Sequence, residues 1–291
     1  MANWVERHLR YLFPLPAILF VAVMMVFPIL YTLRLSFTEW SMGGATSPVF
    51  VGFRNYTRLL LQDQRFLSAV ARTFYFTVLA VAVETVLGVA IALLFNREFA
   101  GKNLIKTLFL LPMVATPVAI GLVWLLILEP TIGVANYLLR LVGVAPLAWL
   151  ASPRTVIPSL ALVDIWQWTP MVVLIVLAGL TALPSDPFEA ARVDGATPWQ
   201  TFWLVTLPLL RPTIAVAVLL RAIDAFKTFD IIYTMTGGGP GFSSETLNIY
   251  SFQMAFQYFR MGQAAALLMI FFALVLGISI ALNWLRRPVS H

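Results

Sequence analysis

The chain has 291 residues, of which 60% are hydrophobic and only 11% charged, less than half of the roughly 25% charged residues of a soluble domain. Its formal net charge of +6 comes from basic residues scattered between apolar stretches, which excludes the basic stripe with interleaved aromatics expected of a nucleic-acid binder. There is no cysteine, and the two histidines, His8 and His291, stand at the two ends, so disulfides, thiol chemistry and a histidine-based metal cluster are excluded as well.

The apolar residues are concentrated in long runs, and about 20 such residues in a helix cross the roughly 30 Å hydrocarbon core of a bilayer. Six segments meet that requirement. Residues 11–33, 107–128 and 264–285 carry no charge, 73–95 carries only Glu84, 156–183 only Asp164, and 213–236 carries Arg221, Asp224, Lys227 and Asp230. The expected fold is all-α: one polytopic transmembrane domain over residues 1–291 with six spans.

The first segment follows Arg7 and Arg10 as a signal peptide would, yet it is longer than the 7–15-residue apolar region of such a peptide and has no small-residue cleavage site, so it reads as an uncleaved helix. Six spans put both termini on one side. Arg7, Arg10, Arg97, Lys102, Lys106, Arg192, Arg211, Arg286 and Arg287 fall on that side, and Arg34, Arg54, Arg58, Arg65, Arg72, Arg140, Arg154 and Arg260 on the other. The margin is a single residue. It favours cytoplasmic termini mainly through the compact Arg97/Lys102/Lys106 and Arg286/Arg287 groups. The opposite-side loops, 37–71, 129–155 and 237–262, are too short for domains. Prolines such as Pro112, Pro117, Pro158 and Pro170 lie in or beside spans, where neighbouring helices satisfy the freed backbone groups.

The loop 184–212 reads PSDPFEAARVDGATPWQTFWLVTLPLLRP and carries helix punctuation twice. Asp186 reads as an N-cap with Pro187 at the first helical position, Glu189 at N3 and Gly195 as the stop; Thr197, Pro198 and Gln200 repeat the pattern, and Leu207-Pro208 and Pro212 are expected to end the second helix before the fifth span. The order Glu189-Ala190-Ala191, then Gly195, then Val205-Thr206-Leu207-Pro208 resembles the EAA loop of the permease subunits of binding-protein-dependent ABC importers, with valine where that pattern has isoleucine. Phe50-Val51-Gly52-Phe53-Arg54-Asn55-Tyr56 and Thr236-Gly237-Gly238-Gly239-Pro240-Gly241 resemble the maltose-type carbohydrate branch.

The resemblance implies an inner-membrane subunit of a bacterial or archaeal cell with cytoplasmic termini. It also implies a cytoplasmic loop that docks on the ATPase through Glu189, Ala190, Ala191, Asp194 and Gly195. The implied partners are a second homologous permease, two ATPase subunits that bind ATP and Mg, and an extracytoplasmic solute-binding protein. The chain itself then needs no cofactor and catalyses no reaction. It lacks the G-x-x-x-x-G-K-[ST] sequence of a phosphate cradle, and the run 237–241 reads as a tight loop.

Helical facing groups Arg221, Asp224 and Thr228 on the fifth span and Asp164, Gln167, Trp168 and Met171 on the fourth. Carboxylate, guanidinium and amide groups beside an indole suit the adjacent hydroxyls and apolar ring face of a sugar. Gln167, Trp168, Arg221, Asp224 and Thr228 are therefore candidates for contact with a sugar or polyol, or the ionisable members pair among themselves. Lys227 and Asp230 turn away from that face and read as a structural pair, and Glu84 as a buried pairing or partner contact. Two other readings are a permease for glycerol phosphate or another small solute, and a secondary transporter with a proton relay through Asp164, Asp224 and Asp230. The second should show an inverted repeat, and none is visible.

Overall fold

The computed structural model describes residues 11, 13–43 and 47–286. Arg7, Arg10, Arg287 and both histidines lie outside the described residues. Among the described residues five helices are long and apolar enough to span a membrane: Leu15–Ser36, Gln64–Phe95, Val156–Thr181, Pro198–Phe226 and Met261–Trp284. A sixth span is the helix pair Lys102–Val114 and Pro117–Ile127, bent by 99° at its break. The chain is a multi-pass membrane protein.

It divides into two compact units, one of residues 1–67 and 251–273, the other of 68–250 and 274–291. In the first unit, the segment after the first span folds back as a short antiparallel hairpin, Thr38–Glu39 with Val49–Phe50. The motif around Phe53 closes this turn. Asn55 is buried and donates its amide to the carbonyls of Ser36 and Thr38 at 2.9 Å each, the Tyr56 hydroxyl meets Ser36 Oγ at 2.6 Å, and the rings of Phe37, Phe53 and Tyr56 cluster. Arg65 donates to Gln253 at 2.5 Å and to Tyr258 at 3.1 Å.

The second unit is organised around the fourth span, 61% of whose most apolar stretch is buried, against none for the first span. Its neighbours approach closely because glycines stand at the crossings. A Cβ on Gly88 would lie 2.5 Å from Val172, one on Gly179 2.6 Å from Thr213, and one on Gly121 3.2 Å from Thr234. Small residues at crossings are how membrane helices gain packing where lipid supplies no hydrophobic drive.

The third span is not the single helix expected over 107–128. Ala115 and Thr116 are extended, with ψ of 147° and 137°, because the residue before a proline, here Thr116 before Pro117, is pushed out of the helical region. The fifth span is also not continuous to residue 236. It stops at Phe226, and after a three-residue break a separate helix, Asp230–Thr236, packs against Pro117–Ile127. Unpaired backbone at membrane depth must be satisfied by protein. Gln167 donates to Ala115 O at 3.2 Å at one break and Asn248 to Lys227 O at 2.6 Å at the other. The loop after residue 236 is a tight turn as expected, with Gly237, Gly238 and Gly241 at φ of 58°, 100° and 60°, values open to glycine at little cost.

Candidate functional site

The polar loop between the fourth and fifth spans opens with the helix Asp186–Val193. Its N-cap is Ser185 and not Asp186, and no side-chain cap forms because Ser185 is itself helical, with φ −74° and ψ −34°. Glu189 therefore closes no capping box; its carboxylate is exposed and makes no hydrogen bond or ion pair among the described residues. The C-terminus is closed fully. Gly195 takes φ 71°, its N–H bonds to Arg192 O at 3.2 Å, and Ala196 N–H reaches back to Ala191 O at 2.9 Å, the two bonds of a Schellman end. Ala191 is buried, whereas Glu189, Ala190, Asp194 and Gly195 are exposed.

The second turn starts as expected. Thr197 and Gln200 form a reciprocal capping box with Pro198 in the first turn. It does not end at Pro208 or Pro212. A π-helical turn, Phe202–Thr206, joins it to Leu207–Phe226, so the loop helix and the fifth span are one helix of 29 residues. The wide turn just before Pro208 loosens the carbonyl spacing that a pyrrolidine ring would otherwise clash with.

About 35 Å from the start of that helix at Pro198, at 1.5 Å per residue, Arg221 is 1% exposed and bound by three carboxylates. Its Nε and one Nη grip Glu84 at 2.7 and 3.0 Å, the same Nη reaches Asp164 at 2.8 Å, and the other Nη reaches Asp224 at 3.0 Å. The Trp168 ring lies 5.1 Å from the guanidinium carbon, a cation–π contact. Glu84, Asp164 and Gln167 are fully buried, while the Asp224 side chain is 49% exposed. Asp164 Oδ1 and Gln167 Oε1 have no hydrogen-bond partner.

Of the residues singled out for a solute, Trp168, Arg221 and Asp224 thus belong to one cluster built from the second, fourth and fifth spans, while Gln167 is buried on the fourth span and bonds to Ala115 O of the third. Thr228 lies in the break beyond the helix end, its N–H on Ala225 O at 3.2 Å and its hydroxyl at a long 3.5 Å from Asp224 O. Glu84 is the pairing partner expected of it, and the pairing reading of Arg221 holds for its geometry. Lys227 and Asp230 form no ion pair among the described residues: the break between them sends both into exposed positions. What sequence reasoning missed is the grouping of Glu84 and Asp164 around one arginine; one isolated acid on each of two otherwise apolar spans was the available signal.

Residues 84–290 match the family model described as binding-protein-dependent transport system inner membrane component. A probable ABC transporter permease protein of Sinorhizobium fredii is 39% identical over 273 residues, covering 94% of this chain and 88% of that one. The trehalose/maltose transport system permease protein MalF of Thermococcus litoralis is 35% identical over 278 residues, with 94% and 92% covered. Among solved structures, a bacterial ABC transporter involved in import of the acidic polysaccharide alginate superposes with a TM-score of 0.84 at 23% identity, over 100% of both chains. That likeness speaks for the fold. The family match and the relatives speak for the chain, which belongs to the binding-protein-dependent transport system inner membrane components and is a permease subunit of such an importer.

Proposed function

We propose that this permease carries a sugar or polyol by alternating access, along a path lined jointly with a second homologous permease. The loop 184–212 docks on an ATPase subunit through Glu189, Ala190, Ala191, Asp194 and Gly195, and ATP and Mg are bound by two such partners and not by this chain. The chain then performs no covalent chemistry. Both termini and the loop face the cytoplasm of a bacterial or archaeal cell, and a solute-binding protein delivers the solute from the other side. Gln167, Trp168, Arg221, Asp224 and Thr228 form the region that meets the solute.

The observation that carries this reading is the continuity of the loop with the fifth span. The docking helix packs against the π-helical turn Phe202–Thr206, so a push on it enters a single 29-residue helix that ends at the polar cluster. The Glu189 carboxylate makes no hydrogen bond or ion pair among the described residues, which supports a partner role over a capping role. The relatives that transport trehalose and maltose support a carbohydrate solute.

The test is uptake of radiolabelled trehalose into proteoliposomes holding the complete importer and its binding protein. Uptake is expected to need internal ATP and to stop with vanadate. Glu189→Lys and Gly195→Arg should each abolish it and release the ATPase on purification, with the membrane helices still folded. Vanadate-resistant uptake driven by a proton gradient would replace this reading by a relay through Asp164, Asp224 and Asp230.

A further inference from the structure

The polar cluster holds more acid than base. Glu84, Asp164 and Asp224 surround a single guanidinium, so carboxyl groups outnumber the cation at the junction of three spans. Four of the five Arg221 N–H groups are already taken, the side chain is 1% exposed, and the indole of Trp168 lies over it. No approach to the cation is open. What the cluster offers a solute is the other carboxylate oxygen of Asp224, which the Arg221 contact at 3.0 Å holds in place on a half-exposed side chain.

A carboxylate oxygen of this kind accepts hydrogen bonds and donates none. A hydroxyl donates to such a group; a phosphate, carboxylate or sulfonate brings only further acceptors and like charge. From this we infer that Asp224 is a specificity-determining residue that admits neutral polyhydroxylated solutes and rejects anionic ones, with Arg221, Glu84 and Asp164 as positioning residues that set its orientation and the sign of the local potential. The inference rests on the proposal that the cluster meets a sugar or polyol and adds the charge class. It separates this permease from a carrier of glycerol phosphate, which would need Arg221 free.

The experiment compares matched probes on the assembled importer in nanodiscs, without binding protein, so that only the path is read. Trehalose, maltose and mannitol are each paired with their phosphate esters, and binding is measured by equilibrium dialysis. The neutral member of a pair should bind at least about tenfold more tightly, since the ester brings an unmatched like charge toward the carboxylates, and the ratio should shrink as salt rises. Asp224→Asn should weaken the neutral probe and strengthen its phosphate, narrowing the ratio about tenfold. Glu84→Gln, which leaves Asp224 in place but removes one buried charge, should narrow it as well. Equal binding of both members by the wild type, or an unchanged ratio in Asp224→Asn, would overturn the charge selection while leaving the sugar reading intact. Failure of every neutral probe with retention of a phosphate ester would overturn both.

Discussion

At the scale of single residues, Arg221 is the costliest group in the second unit to bury and the hardest to remove alone. An unpaired charge in this environment is costly, and breaking a buried pair by deleting one partner costs about 3–5 kcal/mol, whereas replacing the whole set with neutral groups of similar shape is often neutral. Arg221→Met should therefore lower the thermal midpoint of the purified complex sharply, because three carboxylates are left facing one another. Adding Glu84→Gln and Asp164→Asn should restore most of it. A loss that simply accumulates over the three changes would mean that the network contributes nothing as a unit. The participants were legible in the sequence because acids and arginine are rare inside apolar spans. Their grouping was not, since Glu84 and Arg221 are 137 positions apart and no local pattern links them. Facing arguments joined Arg221 to Asp224 within one helix and overlooked that Glu84 takes the better-placed donors.

At the scale of elements, the reading of the spans held where apolar length alone decides and failed where a local break or its absence decides. The extended pair at Ala115 and Thr116 follows from Pro117 and was legible in principle; the break after Phe226 was not, because Lys227, Thr228 and Phe229 include no strong helix breaker and the freed carbonyl is held by Asn248 from elsewhere in the chain. The opposite error occurred at Pro208, where a π-helical turn carries the helix through a proline that was read as a stop. The fourth and fifth spans meet where Gly179 faces Thr213, and an added Cβ would lie 2.6 Å from Thr213 Cγ2 and 2.8 Å from its Oγ1. Thr213 is β-branched and held in a helix, so it has little freedom to turn aside. Gly179→Ala should cost about 1–3 kcal/mol, the usual penalty of overpacking, read as a lower midpoint of the assembled complex. Thr213→Ala in the same chain removes the two closest atoms and should recover most of the loss. No recovery would place the defect elsewhere than at this crossing.

At the scale of the whole molecule, the spans set which loops share a side, and the basic residues set which side that is. The loop after the second span carries Arg97, Lys102 and Lys106, and the docking loop carries Arg192 and Arg211. On the proposed six-span topology two crossings, the bent third span and the fourth, separate these loops and give them the same compartment. Short loops rich in Lys and Arg remain on the cytoplasmic side. On the same proposal the segment 129–155 lies one crossing away, in the other compartment. It is ordered there: Glu129 accepts hydrogen bonds from the N–H groups of Thr131 and Ile132, and buried Asn136 ties Pro130, Leu147 and Trp149 together. The chain has no cysteine, so single cysteines report position without background. Val144 and Ser185 are both exposed, one in each loop. A membrane-impermeant maleimide should label Val144→Cys in cells whose inner membrane is intact and Ser185→Cys only after that membrane is permeabilised. Labelling of Ser185→Cys in intact cells would put the docking loop out of reach of any cytoplasmic ATPase. The proposed coupling through the 29-residue helix would then have no motor to act on it.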